Sequence, residues 1–148
     1  IQEHNPKLYE RLTIIHPNAI EFRPVESFRS MLAQSAQPYR HVWMRARDQL
    51  SLDLPVQHQL LAYASDYNLL STAVLPHLKT TSYENLFMAS LDHAMWFHRD
   101  FRMDEWLLYA LDSPSASGSR GFTRGNIFNQ AGKLVASVVQ EGLIREFR

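Results

Sequence analysis

Cysteine is absent from the 148 residues, which excludes disulfides, thiolate metal sites and a cysteine nucleophile and leaves the redox compartment undetermined. Net charge is missing as well. Lys plus Arg and Asp plus Glu both total 15, so no overall field draws nucleic acid or an anionic membrane surface. No apolar run approaches the roughly 18 residues of a membrane span, and Ile1-Gln2-Glu3-His4 has neither the basic nor the apolar part of a signal peptide. The expectation is a protein with no nucleic-acid or membrane partner and a cytoplasmic location, since Glu146-Phe147-Arg148 is not a peroxisomal tripeptide. An initiator Met is also lacking, so the chain reads as a fragment. Glycine is absent before Gly118, and all five glycines fall between there and Gly142.

What is present suffices for a folded unit. Hydrophobic residues make up 45% and charged residues 20%, far from the composition of disordered chains. The length fits one domain over 1–148, with 1–18 as a linker-like lead-in.

Between Pro55 and Pro76, Val56, Leu60, Tyr63, Ala64, Tyr67, Leu70 and Val74 recur at three- and four-residue steps, which predicts one long helix. Asp66 interrupts that helix midway, and a carboxylate there needs an explanation. Strand character runs over Ala19 to Val25, Pro38 to Asp48, Asn85 to Asp92, Ala94 to Arg99 and Glu105 to Asp112, with Ser27 to Gln37 a polar linker. Both faces of the Asn85 to Asp92 strand read as buried. The Ser113-Pro114-Ser115-Ala116-Ser117-Gly118 stretch reads as irregular, and Asn129 to Lys133 as a hairpin turn with Gly132 at positive φ. In the last strand Leu134, Ala136, Val138, Gln140 and Gly142 share a face, so Gln140 is an amide on an apolar surface. One long helix among strands means α+β.

Two blocks, Leu91-Asp92-His93-Ala94-Met95-Trp96-Phe97-His98-Arg99 and Asp104-Glu105-Trp106-Leu107-Leu108-Tyr109, resemble the signature strands of the acyl-CoA thioesterase II family. The likeness continues through Tyr63-Ala64-Ser65-Asp66, Ser113 to Ser117, Arg120-Gly121, Arg124-Gly125 and Leu134 to Gly142, so it covers about Ile20 to Ile144. It implies the second half of a double hot-dog, in which each half wraps an antiparallel sheet around a long helix. It also implies a hydrolytic water held by an Asp on the helix, a Ser or Thr on the next strand and a Gln on the last strand. Asp66, Ser90 and Gln140 match those positions. The substrate would be an acyl-CoA, no cofactor would be needed, and the half would pair with the missing N-terminal half or with itself. Leu78 and Asp100 depart from residues common in the family, Gly and Pro respectively.

The residues point to the same trio, each a polar group among apolar neighbours. A thioester carbonyl is electrophilic already, so hydrolysis needs a positioned water and a base. Asp66 is the candidate base, with Ser90 and Gln140 holding the water. His93 and His98 lie five apart, on opposite faces of a regular strand, and no histidine–carboxylate cluster has ligand spacing. His58 and His77 fit capping or surface roles. Arg99, Arg120 and Arg124 suit coenzyme A phosphates, although structural pairing is the plainer expectation. Trp43, Trp96 and Trp106 read as core. The competing readings are a hot-dog hydratase or dehydratase, and a non-catalytic half that serves dimerisation or acyl binding.

Overall fold

The computed structural model describes residues 19–27, 30, 37–50, 53–78, 80, 81 and 83–147. The lead-in over 1–18 and most of the linker between Ser27 and Gln37 lie outside the described residues. The chain forms β1 (Ile20–Pro24), β2 (Tyr39–Ala46), α1 (Leu54–Ser65), α2 (Leu69–Val74), β3 (Leu86–Ser90), β4 (Ala94–Phe97), β5 (Leu107–Ser117), β6 (Arg120–Asn129) and β7 (Leu134–Glu146). Short 3₁₀ turns at Leu75–His77 and Tyr83–Asn85 join α2 to β3. The sheet is antiparallel, in the order β1-β2-β5-β6-β7-β3, with β4 also on β7.

One face of the sheet closes on the helices. Val42 and Met44 of β2, Leu107, Tyr109 and Leu111 of β5, Ile127 of β6 and Val138 of β7 bury themselves against Leu61, Ala64 and Leu69. Burial alternates along these strands because successive side chains point to opposite faces. This is the α+β sheet-around-helix arrangement that the hot-dog resemblance implied. Two glycines let the helical layer approach closely. A Cβ at Gly142 would strike the Leu70 side chain, and one at Gly121 would strike Ala73.

The expected single helix is in fact broken. α1 stops at Ser65, and Asn68 adopts a left-handed φ of 75° before α2 begins. Asn tolerates that conformation better than most residues, so the break falls where the sequence permits it. Helix ends leave carbonyls without intrahelical donors. Here Ala62 O accepts from Ser65 Oγ at 2.9 Å, Ala64 O from Tyr67 N at 3.2 Å, and Ser65 O from Tyr109 OH at 2.9 Å. Asp66 is therefore a helix-terminal residue, not a mid-helix one.

Three further expectations need correcting. The stretch beginning at Ser113 continues β5 as far as Ser117, because a register shift between Asp112 and Ser115 puts Pro114 where the ladder needs no N–H. The outer face of β3 is open, with Phe87 46% exposed. The tryptophans are not core. Trp96 is 52% exposed, while Trp106 lies beneath the Arg45 and Arg23 guanidinium groups, 4.4 and 4.7 Å from its ring centre. Trp43 alternates with the buried Val42 and Met44 and lines a surface cleft with Trp106 and Arg23. The hairpin over Asn129 to Lys133 is as expected: Gly132 has φ 74°, and Asn129 Oδ1 accepts from the amides of Ala131 and Lys133.

The outermost strand is split. Ser90 lies opposite Gly142 and Ala94 opposite Val139, so the three residues Leu91 to His93 face only Gln140 and Glu141. Glu141 O accepts from Leu91 N (2.9 Å) and Asp92 N (3.3 Å), while Asp92 Oδ1 accepts from Glu141 N (2.6 Å). The extra residue inverts the alternation. Met88 and Ser90 face the helices from β3, whereas Met95 and Phe97 do so from β4. Among the described residues no helix is long and apolar enough to cross a membrane.

Candidate active site

Asp66 caps α1, Ser90 ends β3, and Gln140 occupies the helix-facing side of β7 between Val138 and Gly142. The fold brings these three together. Gln140 Nε2 donates to Asp66 Oδ1 at 2.5 Å and to Ser90 Oγ at 3.0 Å, and Ser90 Oγ donates to Asp66 Oδ1 at 3.4 Å. Gln140 is 99% buried, being 1% exposed, and its Oε1 has no hydrogen-bond partner among the described residues. Such an atom costs about 1–3 kcal/mol unless something donates to it. Asp66 is open by contrast, its side chain 58% exposed.

A fourth polar side chain joins the trio. His93, in the β3–β4 break, places Nε2 3.0 Å from Ser65 Oγ. Its Nδ1 lies 3.4 Å from Gln140 Nε2 and 3.9 Å from Asp66 Oδ1. Strand alternation hid this residue, because a regular strand cannot turn both Ser90 and His93 toward the helix. The available sign was His93 lying between the strand candidates Asn85 to Asp92 and Ala94 to Arg99, with Asp92 suited to hold a bulge.

Tyr109 sits beneath the cluster. Burial, reinforced by the Asp66 charge, pushes its phenol well above the usual tyrosine range. The Tyr67 phenol is raised to about 12, chiefly by its hydrogen bond with Tyr63, then by burial and by the charges of Tyr63 and Asp66. Both keep the ground around Asp66 uncharged at neutral pH.

The remaining candidates are placed elsewhere. His58 stacks on Phe97 with ring centres 4.1 Å apart, His98 Nε2 meets Ser137 Oγ at 3.0 Å, and His77 lies in the 3₁₀ turn beyond α2. Among the described residues no group of histidines and carboxylates has metal-binding geometry. Arg99 donates to Leu134 O, while Arg120 pairs with Glu141 and Arg124 with Asp112, so the structural expectation for all three holds. A cavity of about 370 Å³ lies beyond α2, between His77, Leu86, Ser117, Arg120 and Ile144. The trio does not line it.

The sequence pattern of the acyl-CoA thioesterase family matches residues 15–143. The chain belongs to that family. Among its relatives, the human acyl-coenzyme A thioesterase 8 is 42% identical over 127 residues, covering 85% of this chain and 39% of the relative. The Haemophilus influenzae acyl-CoA thioesterase 2 is 42% identical over 106 residues, 72% of this chain and 37% of that protein. A crystal structure of an acyl-CoA thioesterase II from Mycobacterium marinum superposes with a TM-score of 0.76 at 48% identity, covering 87% of this chain and 50% of that one. A hot-dog protein from Alicyclobacillus acidocaldarius, 16% identical with a TM-score of 0.66, covers 90% of this chain and 50% of that one and shares the fold. The chain thus spans half or less of the length of each of these four proteins.

Proposed function

We propose that this chain is one hot-dog unit of a double hot-dog thioesterase, and that it hydrolyses acyl-CoA when a second unit covers its open edge. The observation that carries the reading is the convergence of Asp66, Ser90 and Gln140, from a helix end and two strands, on a single carboxylate oxygen. Asp66 Oδ1 is held by Gln140 and Ser90, so the carboxylate orientation is set while the group remains accessible. Asp66 takes a proton from water as the water oxygen bonds to the thioester carbonyl carbon. The tetrahedral adduct then expels the coenzyme A thiolate, which takes the proton from Asp66 and so restores the carboxylate, and leaves the free acid. Gln140 acts on that water through Asp66, whose carboxylate its Nε2 keeps in place. No enzyme-linked intermediate is needed, because the carbonyl is already electrophilic.

The second unit is part of the reading because Asp66 is exposed and Phe87, Leu91, Trp96 and Phe97 stand uncovered along β3 and β4. Closing that side would dry the site and strengthen its hydrogen bonds. The deciding experiment measures free thiol released from acyl-CoAs of several chain lengths by the complete natural protein and by its Asp66→Asn variant. Turnover is expected to fall by about a hundredfold or more with the fold intact, the range for loss of a general base. An unaffected variant overturns the assignment of Asp66. A complete protein that releases no thiol instead supports a structural, acyl-binding half, the reading that the exposure of Asp66 favours.

A further inference from the structure

We propose that His93 is a positioning residue that fixes the direction of the Gln140 amide, through a tautomer dictated by the end of α1. The inference rests on the thioesterase reading above and deepens it. The allocation of protons starts at the Ala62 carbonyl near the end of α1, an oxygen that can only accept. Ser65 Oγ lies 2.9 Å from that carbonyl and has a single proton, which it gives to Ala62 O. Ser65 Oγ is therefore an acceptor toward His93 Nε2 at 3.0 Å, and Nε2 carries the hydrogen.

A neutral imidazole protonated at Nε2 has its lone pair on Nδ1. That lone pair faces Gln140 Nε2 at 3.4 Å. The amide nitrogen of Gln140 thus meets three acceptors: Asp66 Oδ1, Ser90 Oγ and His93 Nδ1. A flipped amide would set a carbonyl oxygen against a carboxylate and an imidazole lone pair, so only one orientation is stable. The consequence falls on the Asp66 carboxylate, which keeps its donor from Gln140 Nε2, while Oε1 is turned away into a buried position with no hydrogen-bond partner among the described residues. His93 touches neither substrate nor water in this scheme. It acts through Gln140.

The test uses the complete natural protein and three substitutions. Asn offers an acceptor close to where Nδ1 stood, Gln reaches only toward the Nε2 position, and Ala offers neither. His93→Ala and His93→Gln are expected to lower kcat by about 10- to 100-fold with KM within about twofold, as for a reacting group displaced by a fraction of an ångström. His93→Asn is expected to return kcat to within about threefold of the parent, because the acceptor for Gln140 is restored. Nitrogen NMR of the parent's ring should show the hydrogen on Nε2 at neutral and higher pH, a readout that does not depend on any variant folding. A ring protonated at Nδ1 overturns the proposal. So does a His93→Asn variant as slow as His93→Ala, which would make the imidazole a proton carrier. Asp66→Asn, measured alongside, separates the two failures: a collapse there with all His93 variants fully active removes only the positioning role, whereas unchanged activity there removes the general-base reading beneath it.

Discussion

The phenol of Tyr109 donates to the Ser65 carbonyl at 2.9 Å, next to the residue that presents the candidate base. Replacing Tyr109 with Phe leaves that carbonyl buried with no donor, and the expected loss is about 1–3 kcal/mol, read from the urea midpoint. The same phenol gives the fold an alkaline limit. Its proton is held in the folded state above the ordinary value of 10.0, so the folded state keeps a proton that the unfolded chain releases. The stabilisation is complete below that ordinary value and is lost as pH rises through and beyond it. Tyr67, raised to about 12, adds to the same decline. Unfolding free energy should therefore fall as pH climbs above about 10, and the slope should be shallower in Tyr109→Phe. A slope unchanged by the substitution would mean that Tyr109 is not responsible.

Among the elements, α2 depends on how closely it lies on β6 and β7. Gly142→Val would drive a branched side chain into Leu70 and lift the helix, with an expected cost of about 1–3 kcal/mol in thermal or urea unfolding. The glycines of the last two strands were visible in the sequence as part of a cluster running from Gly118 to Gly142. The closeness of the helix is a tertiary fact that no strand pattern encodes. Other elements were more legible. Strands β1, β2 and β7 followed alternation, and Gln140 stood out on its apolar face, because one buried and one open face write a period of two into the chain. The helix break was hidden because apolar residues keep their three- and four-residue spacing across Asp66, Tyr67 and Asn68, and only the left-handed Asn68 interrupts the backbone. His93 was hidden because its direction depends on one extra residue in the edge strand, and counting by twos fails beyond it. Asp66, Ser90 and Gln140 were chosen from sequence and do meet. Their meeting shows proximity, and the turnover of Asp66→Asn decides chemistry.

For the whole molecule, the dominant feature is the edge formed by β3 and β4, which pairs with no further strand among the described residues. Phe87, Leu91 and Trp96 are each about half exposed along β3 and β4, and an open edge bearing large apolar groups invites pairing. The chain on its own is expected to self-associate, and Phe87→Lys with Trp96→Lys should give a monomeric mass in solution scattering. A monomeric parent would remove the expectation. The strand that forms this edge also supplies Ser90 and, at its break, His93. Whatever pairs with the edge therefore also steadies the side chains that orient Gln140. Specific activity of the separate chain should in consequence depend on its concentration and decay on dilution, with a reaction order in protein above one, while a protein carrying both units on one polypeptide should work equally well at any dilution.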